Sequence, residues 1–221
     1  MSYAALFSGG KDSNLALWKG IRTGLDIGWL ITVKPERDDS YMFHKPNLDL
    51  VPKIAESIGI ELIEVETEGV KEEELEDLKS ALRSIPVEGV VTGAVASNYQ
   101  RERIEKMADV LELEVFSPLW NMDQYDLVEE LLDEGFKSMI VSVAAMGLDD
   151  SWLGRMIDEE CISDLKTLHD EYRINIAGEG GEYESLVLDG PMYEYGFEVI
   201  EGNKEWDGQR GVYDILKIEK K

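Results

Sequence analysis

"LFSGGKDSN", residues 6–14, stands between an apolar run, Tyr3–Phe7, and a helical pattern over Asn14–Arg22. A strand that ends in glycines and hands over to a helix is a ready phosphate cradle, because the first N–H groups of the helix lack partners and point outward. Each residue type in the stretch suits that purpose. Gly9 and Gly10 permit positive φ and close backbone approach, Ser8 and Ser13 add hydroxyl donors, and Lys11 brings a cation to phosphate oxygens. Asp12 is the odd member: a carboxylate beside phosphates is repulsive unless a metal lies between them, and Mg²⁺, with Asp12 as ligand, is the natural metal. The spacing is neither that of the Walker loop nor the dinucleotide G-x-G-x-x-G.

Outward from the loop, Tyr3–Phe7, Ile27–Val33, Glu61–Val65, Val87–Thr92 and Lys137–Val143 read as short apolar strands. Helical patterns separate them, over Asn14–Arg22, Leu48–Ser57, Glu72–Ser84, Tyr99–Leu111 and Gln124–Leu132. This alternation predicts an α/β fold, a parallel sheet flanked by helices on both faces. After residue 173 the texture turns glycine-rich and β-forming with no helical stripe. The expected division is therefore an α/β nucleotide-binding domain over residues 1–173 and a smaller β-rich lobe over 174–221.

With 22 basic against 47 acidic residues the chain carries −25, a field that repels polyanions and counts against nucleic acid as the main partner. Its one cysteine, Cys161, excludes an internal disulfide and a cysteine-built metal site, and the helix face at Ile162, Leu165 and Leu168 beside it argues for a packed thiol. No charged-then-apolar leader opens the chain and no apolar run reaches the roughly 18 residues of a membrane span, so the expectation is a soluble, cytoplasmic protein without a membrane partner.

SGGKDS at residues 8–13 resembles the PP-loop of the N-type ATP pyrophosphatases, members of the adenine nucleotide α-hydrolase-like superfamily with a Rossmann-like fold. The resemblance implies ATP cleaved between its α and β phosphates, AMP passed to an acceptor oxygen, and pyrophosphate released. Four further stretches narrow the acceptor: "TGAVASNYQRERIE" (92–105), "SPLW" (117–120), "GLDDSWLG" (147–154) and "GEGGEYESLVLDGP" (178–191). Together they resemble the diphthine–ammonia ligase family, over residues 4 to about 191. That family makes diphthamide, a modified histidine of translation elongation factor 2, by adenylating the diphthine carboxylate and displacing AMP with ammonia.

The resemblance assigns ATP to Ser8, Gly9, Gly10, Lys11, Asp12 and Ser13, with Thr32 and Val33 at the end of the second strand as the adenine seat and Gly93 as a further nucleotide contact. It includes Asn98, Tyr99, Arg101 and Arg103, just past a strand end where open sheets bind ligands. There one of the two arginines is the candidate for the phosphate or acyl-adenylate, Arg103 as the catalytic one and Arg101 as a substrate contact, and for either a surface pairing with Glu102 or Glu105 is an equal alternative. Glu179, Gly180, Gly181, Glu182, Tyr183 and Glu184 crowd carboxylates and an aromatic ring together, which suits the permanent cation of diphthine, and Glu182 or Glu184 is the candidate to accept a proton from the attacking nitrogen. His44 is a nucleotide or substrate contact or a base, or equally a loop histidine with a structural bond.

A glutamine-dependent amidotransferase needs a cysteine nucleophile in a dedicated domain, and the chain has neither the length nor the thiol, so ammonium is the expected nitrogen source. A homodimer is left open. Two other readings compete. A tRNA-modifying adenylating enzyme would call for a basic surface and further cysteines, and a non-catalytic adenine-nucleotide sensor would not need Lys11 with Asp12 beside a glutamate-rich second lobe.

Overall fold

The computed structural model describes residues 2–35, 46–68 and 73–221. The chain forms two compact units, one of residues Met1–Ser8 and Asp12–Trp120, the other of Gly9–Lys11 and Asn121–Lys221.

In the first unit β1 (Ser2–Leu6), β2 (Ile27–Pro35), β3 (Glu61–Thr67), β4 (Val87–Val91) and β5 (Glu114–Phe116) form a parallel sheet in the order β3-β2-β1-β4-β5. The connecting helices are α1 (Lys11–Arg22), α2 (Val51–Ile58), α3 (Glu73–Arg83) and α4 (Asn98–Leu111). Strands this short and apolar belong to a sheet covered on both faces. Ala4, Ile31, Val33 and Val90 pack with Leu78 and Leu82 of α3 and with Ile104, Met107 and Ala108 of α4. Their neighbours Ala5, Leu30 and Val91 are also buried and point to the opposite face. On that face Gly20 of α1 lies against Val91.

The strand order reverses between β1 and β4, so the segments after these two strands flank the crevice at the switch point, where open α/β sheets take ligands. The opening stretch is one of those segments; residues 92–98 are the other.

The second unit holds α5 (Gln124–Asp133), β6 (Lys137–Val143), α6 (Glu159–Tyr172), β7 (Tyr183–Asp189), β8 (Phe197–Trp206) and β9 (Gly211–Lys220). Its four strands form an antiparallel sheet in the order β7-β6-β9-β8. Here the structure corrects the sequence reading. The strand at Lys137–Val143 exists but leaves the parallel sheet and pairs with β7 and β9. An apolar run states that a strand is buried, not which way its neighbours run. The division accordingly falls between Trp120 and Asn121, some fifty residues before the expected 173/174, and the β-rich tail supplies three of the four strands of a mixed unit rather than forming an appendage. The parallel sheet regains its fifth strand from β5, which three residues are too few to announce.

Asp123 and Asp158 start α5 and α6 as caps, accepting from the N–H groups of Tyr125 and Cys161 at 2.8 Å each. Among the described residues no helix is long and apolar enough to cross a membrane.

Candidate functional site

In the first unit the approach to the loop is fixed by β2. Phe7 donates its N–H to the Ile31 carbonyl at 2.8 Å, and Thr32 donates its hydroxyl to the Phe7 carbonyl at 2.5 Å. Thr32 and Val33 are both buried, so the Thr32 hydroxyl anchors the loop's entry. Ser13 Oγ accepts from the Ser8 N–H at 3.3 Å and from the Ser8 hydroxyl at 3.4 Å. The two loop serines thus gather the turn from both ends, with long bonds that a better acceptor can replace.

Gly93 sits just past β4 where any side chain would collide with the loop. A Cβ there would lie 2.8 Å from the backbone carbon and oxygen of Asp12 and 2.9 Å from the Ser13 nitrogen. Its role is to let the start of α1 come down onto the switch point. Close by, Ser97 caps α4, its Oγ accepting from the Gln100 N–H at 3.3 Å, so Asn98 and Tyr99 lie in the first turn of that helix.

The two arginines part company. Arg101 pairs with Glu105 at 2.5 Å and stacks over the Trp120 ring at 4.4 Å, whereas Arg103 lies 3.6 Å over the Tyr99 ring. Arg103 also lines a surface groove with Leu75, Glu76 and Lys79 of α3 and Lys106, Met107 and Val110 of α4. Arg101 is thereby held by an acid and an indole, and Arg103 by a phenol on its own helix. His44 lies outside the described residues.

In the second unit residues 9–11 rest on β7. Gly9 has φ 76, the left-handed conformation that favours glycine; Gly10 does not share it, so positive φ is needed at one of the two glycines rather than both. The Val187 N–H donates to the Gly9 carbonyl at 2.9 Å, and the Lys11 N–H, one of the donors that open α1, is met by Ser185 Oγ at 3.2 Å. The Lys11 side chain is only 3% exposed, with Nζ 5.7 Å from the centroid of the Tyr183 ring. Ser185 is a contact that residue-by-residue reading passed over, although it closes the "GGEYES" stretch.

The glutamates of that stretch divide sharply. Glu182 Oε1 accepts from the Asn175 N–H at 2.9 Å and Oε2 from the Gly180 N–H at 2.7 Å, so its carboxylate ties the turn together. Gly178 and Gly181 supply the turn's left-handed positions at φ 76 and 82. Tyr183 is buried, its hydroxyl donating to the Ile176 carbonyl at 2.7 Å; the ring offered by the sequence to a cation faces Lys11. Glu179 and Glu184 are half-buried, with Glu184 on β7 opposite Ser142.

Cys161 is fully buried, and burial pushes its thiol up to about 12, which removes it as a nucleophile. His169 Nδ1 lies 2.6 Å from the Ile174 carbonyl and its ring meets Tyr125 edge-on, a structural role. Among the described residues no group of three or more His, Cys, Asp or Glu side chains could hold a metal ion. A magnesium ion carried in on a nucleotide needs only one or two protein carboxylates, and Asp12, in the first turn of α1, fits that lesser demand.

Residues 1–114 match the diphthamide synthase N-terminal domain and residues 123–220 the diphthamide synthase C-terminal domain, so the family boundary lies where the two units divide. The chain is similar to the diphthine–ammonia ligase of Homo sapiens, 33% identical over 217 residues that cover 88% of this chain and 81% of the relative. It is similar to that of Danio rerio, 33% identical over 216 residues, 88% of this chain and 84% of the relative. The Schizosaccharomyces pombe ligase is 34% identical over 214 residues, 88% of this chain but 35% of the longer relative.

Proposed function

The chain belongs to the diphthine–ammonia ligase family of ATP-dependent ligases, and from that premise we propose that it converts diphthine on translation elongation factor 2 into diphthamide through an acyl-adenylate. An oxygen of the diphthine carboxylate attacks the α-phosphorus of ATP, the bond to the bridging α–β oxygen breaks, and pyrophosphate leaves. The nitrogen lone pair of ammonia then attacks the acyl carbon, the mixed anhydride opens with AMP as leaving group, and the amide nitrogen gives up a proton.

The observation that carries this reading is the loop at the switch point. It joins Lys11 to Asp12 at the start of a helix whose first N–H groups can face phosphate. Lys11 would neutralise phosphate charge as pyrophosphate departs. Mg²⁺, with Asp12 as protein ligand, would share that charge when bound. Ser8, Gly9, Gly10 and Ser13 would hold the phosphates, Thr32 and Val33 the adenine end, and Gly93 would keep the approach clear.

Asn98, Tyr99 and Arg101 are the first unit's candidates for the acceptor, and Arg103 for the acyl-adenylate. In the second unit Glu184 and Glu179 would balance the quaternary ammonium of diphthine, and Glu184 is the better proton acceptor because both oxygens of Glu182 already serve the turn. The net charge of −25 suits a cationic acceptor side chain. A translation-factor substrate places the reaction in the cytoplasm, with ammonium as nitrogen donor.

Product analysis tests the whole. ATP should yield AMP and pyrophosphate only when diphthine-bearing elongation factor 2 and ammonium are both present. ADP as product, or turnover indifferent to ammonium, would overturn the proposal, and tRNA-stimulated AMP release would turn it toward nucleic-acid modification.

A further inference from the structure

We infer that Tyr183 and Ser185 of β7 are positioning residues for Lys11, so that these two residues of the "EGGEYES" stretch serve the nucleotide end of the reaction, while Glu179 and Glu184 remain those proposed for the acceptor. The inference rests on the reading of Lys11 as the lysine that meets ATP.

Tyr183 and Ser185 lie two apart on β7, so their side chains share one face, and Val187 two residues further on meets the loop through its backbone. Val187 holds the Gly9 carbonyl through its N–H, Ser185 Oγ accepts the Lys11 N–H at 3.2 Å, and the Tyr183 ring lies 5.7 Å from Lys11 Nζ. Two contacts therefore fix the backbone on either side of Gly10, and the third acts on the end of the lysine side chain.

The ring is itself held at both ends. Its hydroxyl is bonded to Ile176, and Gly178 lies so close that a Cβ there would be 2.9 Å from the Tyr183 carbonyl and 3.1 Å from the ring. Ile176 and Gly178 belong to the turn that Glu182 ties through Asn175 and Gly180. Carboxylate, turn, ring and lysine thus form one chain of contacts. Lysine carries a flexible four-carbon stem. An aromatic face attracts its ammonium and so restricts where that stem can carry the charge. Both Lys11 and Tyr183 are 3% exposed, which leaves the ring no open face for a trimethylammonium group.

The test compares Tyr183→Leu, Tyr183→Phe and Ser185→Ala with the wild type. Calorimetric binding of a non-hydrolysable ATP analogue is measured alongside AMP release as a function of ATP, ammonium and diphthine-bearing elongation factor 2. Tyr183→Leu should weaken analogue binding and raise KM for ATP about tenfold, with KM for ammonium and for the elongation factor unchanged. Tyr183→Phe, which keeps the ring and loses only the bond to Ile176, should recover most of the loss, and Ser185→Ala should show a smaller defect of the same kind. Should Tyr183→Leu not fold, Ser185→Ala decides the matter: a defect in ATP binding supports the inference and none overturns it. A raised KM for the elongation factor with ATP binding intact would overturn it, as would a Phe variant no better than Leu. If the wild type itself does not bind the analogue, the ligase reading falls and takes the inference with it; if the wild type binds and Tyr183→Leu binds equally well, only the inference falls.

Discussion

At residues 8–13 a serine hydroxyl gathers the glycine loop; at residues 178–182 a carboxylate does. The Ser13 bonds to Ser8 are 3.3 and 3.4 Å long, near the limit of what counts as a hydrogen bond. A hydroxyl can also rotate and become a donor. The Glu182 bonds are 2.9 and 2.7 Å, made by an ionised acceptor to two backbone N–H groups, and such bonds are the stronger kind. The Ser8–Ser13 bonds would cost little to exchange for a ligand's, whereas the Glu182 bonds are the harder pair to give up. Glycine content alone makes the two segments look alike.

The contrast is broken most forcefully at Lys11. Replacing it with Met should lower kcat/KM for ATP by roughly 10²–10³-fold, the scale of losing a charge aimed at the departing phosphate; a loss under about tenfold would place the chemistry elsewhere. Gly93→Val comes next. It forces a side chain onto the Asp12 backbone, and overpacking of this sort costs about 1–3 kcal/mol, so a lowered melting temperature together with lost ATP binding is expected from differential scanning calorimetry and titration.

Glu182→Gln and Glu184→Gln sharpen the comparison directly. The first should destabilise the second unit by about 1–3 kcal/mol, because the amide keeps one acceptor and turns its NH2 donor toward the other backbone N–H, and should lower turnover only as far as the turn loosens. The second should cost less in melting temperature than the first and reduce amidation more. The reverse pattern would exchange their roles.

The smallest effect lies outside both loops. Tyr3 donates to Glu114 at 2.5 Å, and that bond, then burial, holds its hydroxyl up to about 12, against 10.0 unperturbed. The folded value is the higher one, so the stabilisation is complete below pH 10 and is lost as pH rises through 12. Tyr3→Phe should therefore cost about 1 kcal/mol at neutral pH and abolish that alkaline decline, as followed by melting temperature between pH 8 and 11.5.

How much of this could be read from the sequence follows from how far apart the partners lie. Strands β1 to β4 and the helices between them announce themselves through local periodicity, and the loop through its residue types. Strand β6 is visible as a strand, yet its antiparallel partners begin 40 and 68 residues beyond its end, where no local pattern reaches. The same holds within the site. Lys11 and Asp12 show their chemistry in their own names. That Thr32 holds Phe7, that Gly93 makes room for Asp12, and that Glu182 spends both oxygens on its turn depend on contacts across the fold or on the direction of a side chain. His44, legible as a candidate, lies outside the described residues.

The buried thiol of Cys161 carries a practical consequence. Because it is the chain's one cysteine and burial keeps it protonated and enclosed, a second cysteine placed by mutation on an exposed loop would be the sole group to react with a maleimide. A fluorophore set at the exposed Met146 or Gln209 could then report changes at either location on addition of nucleotide, with no need to remove a native thiol first.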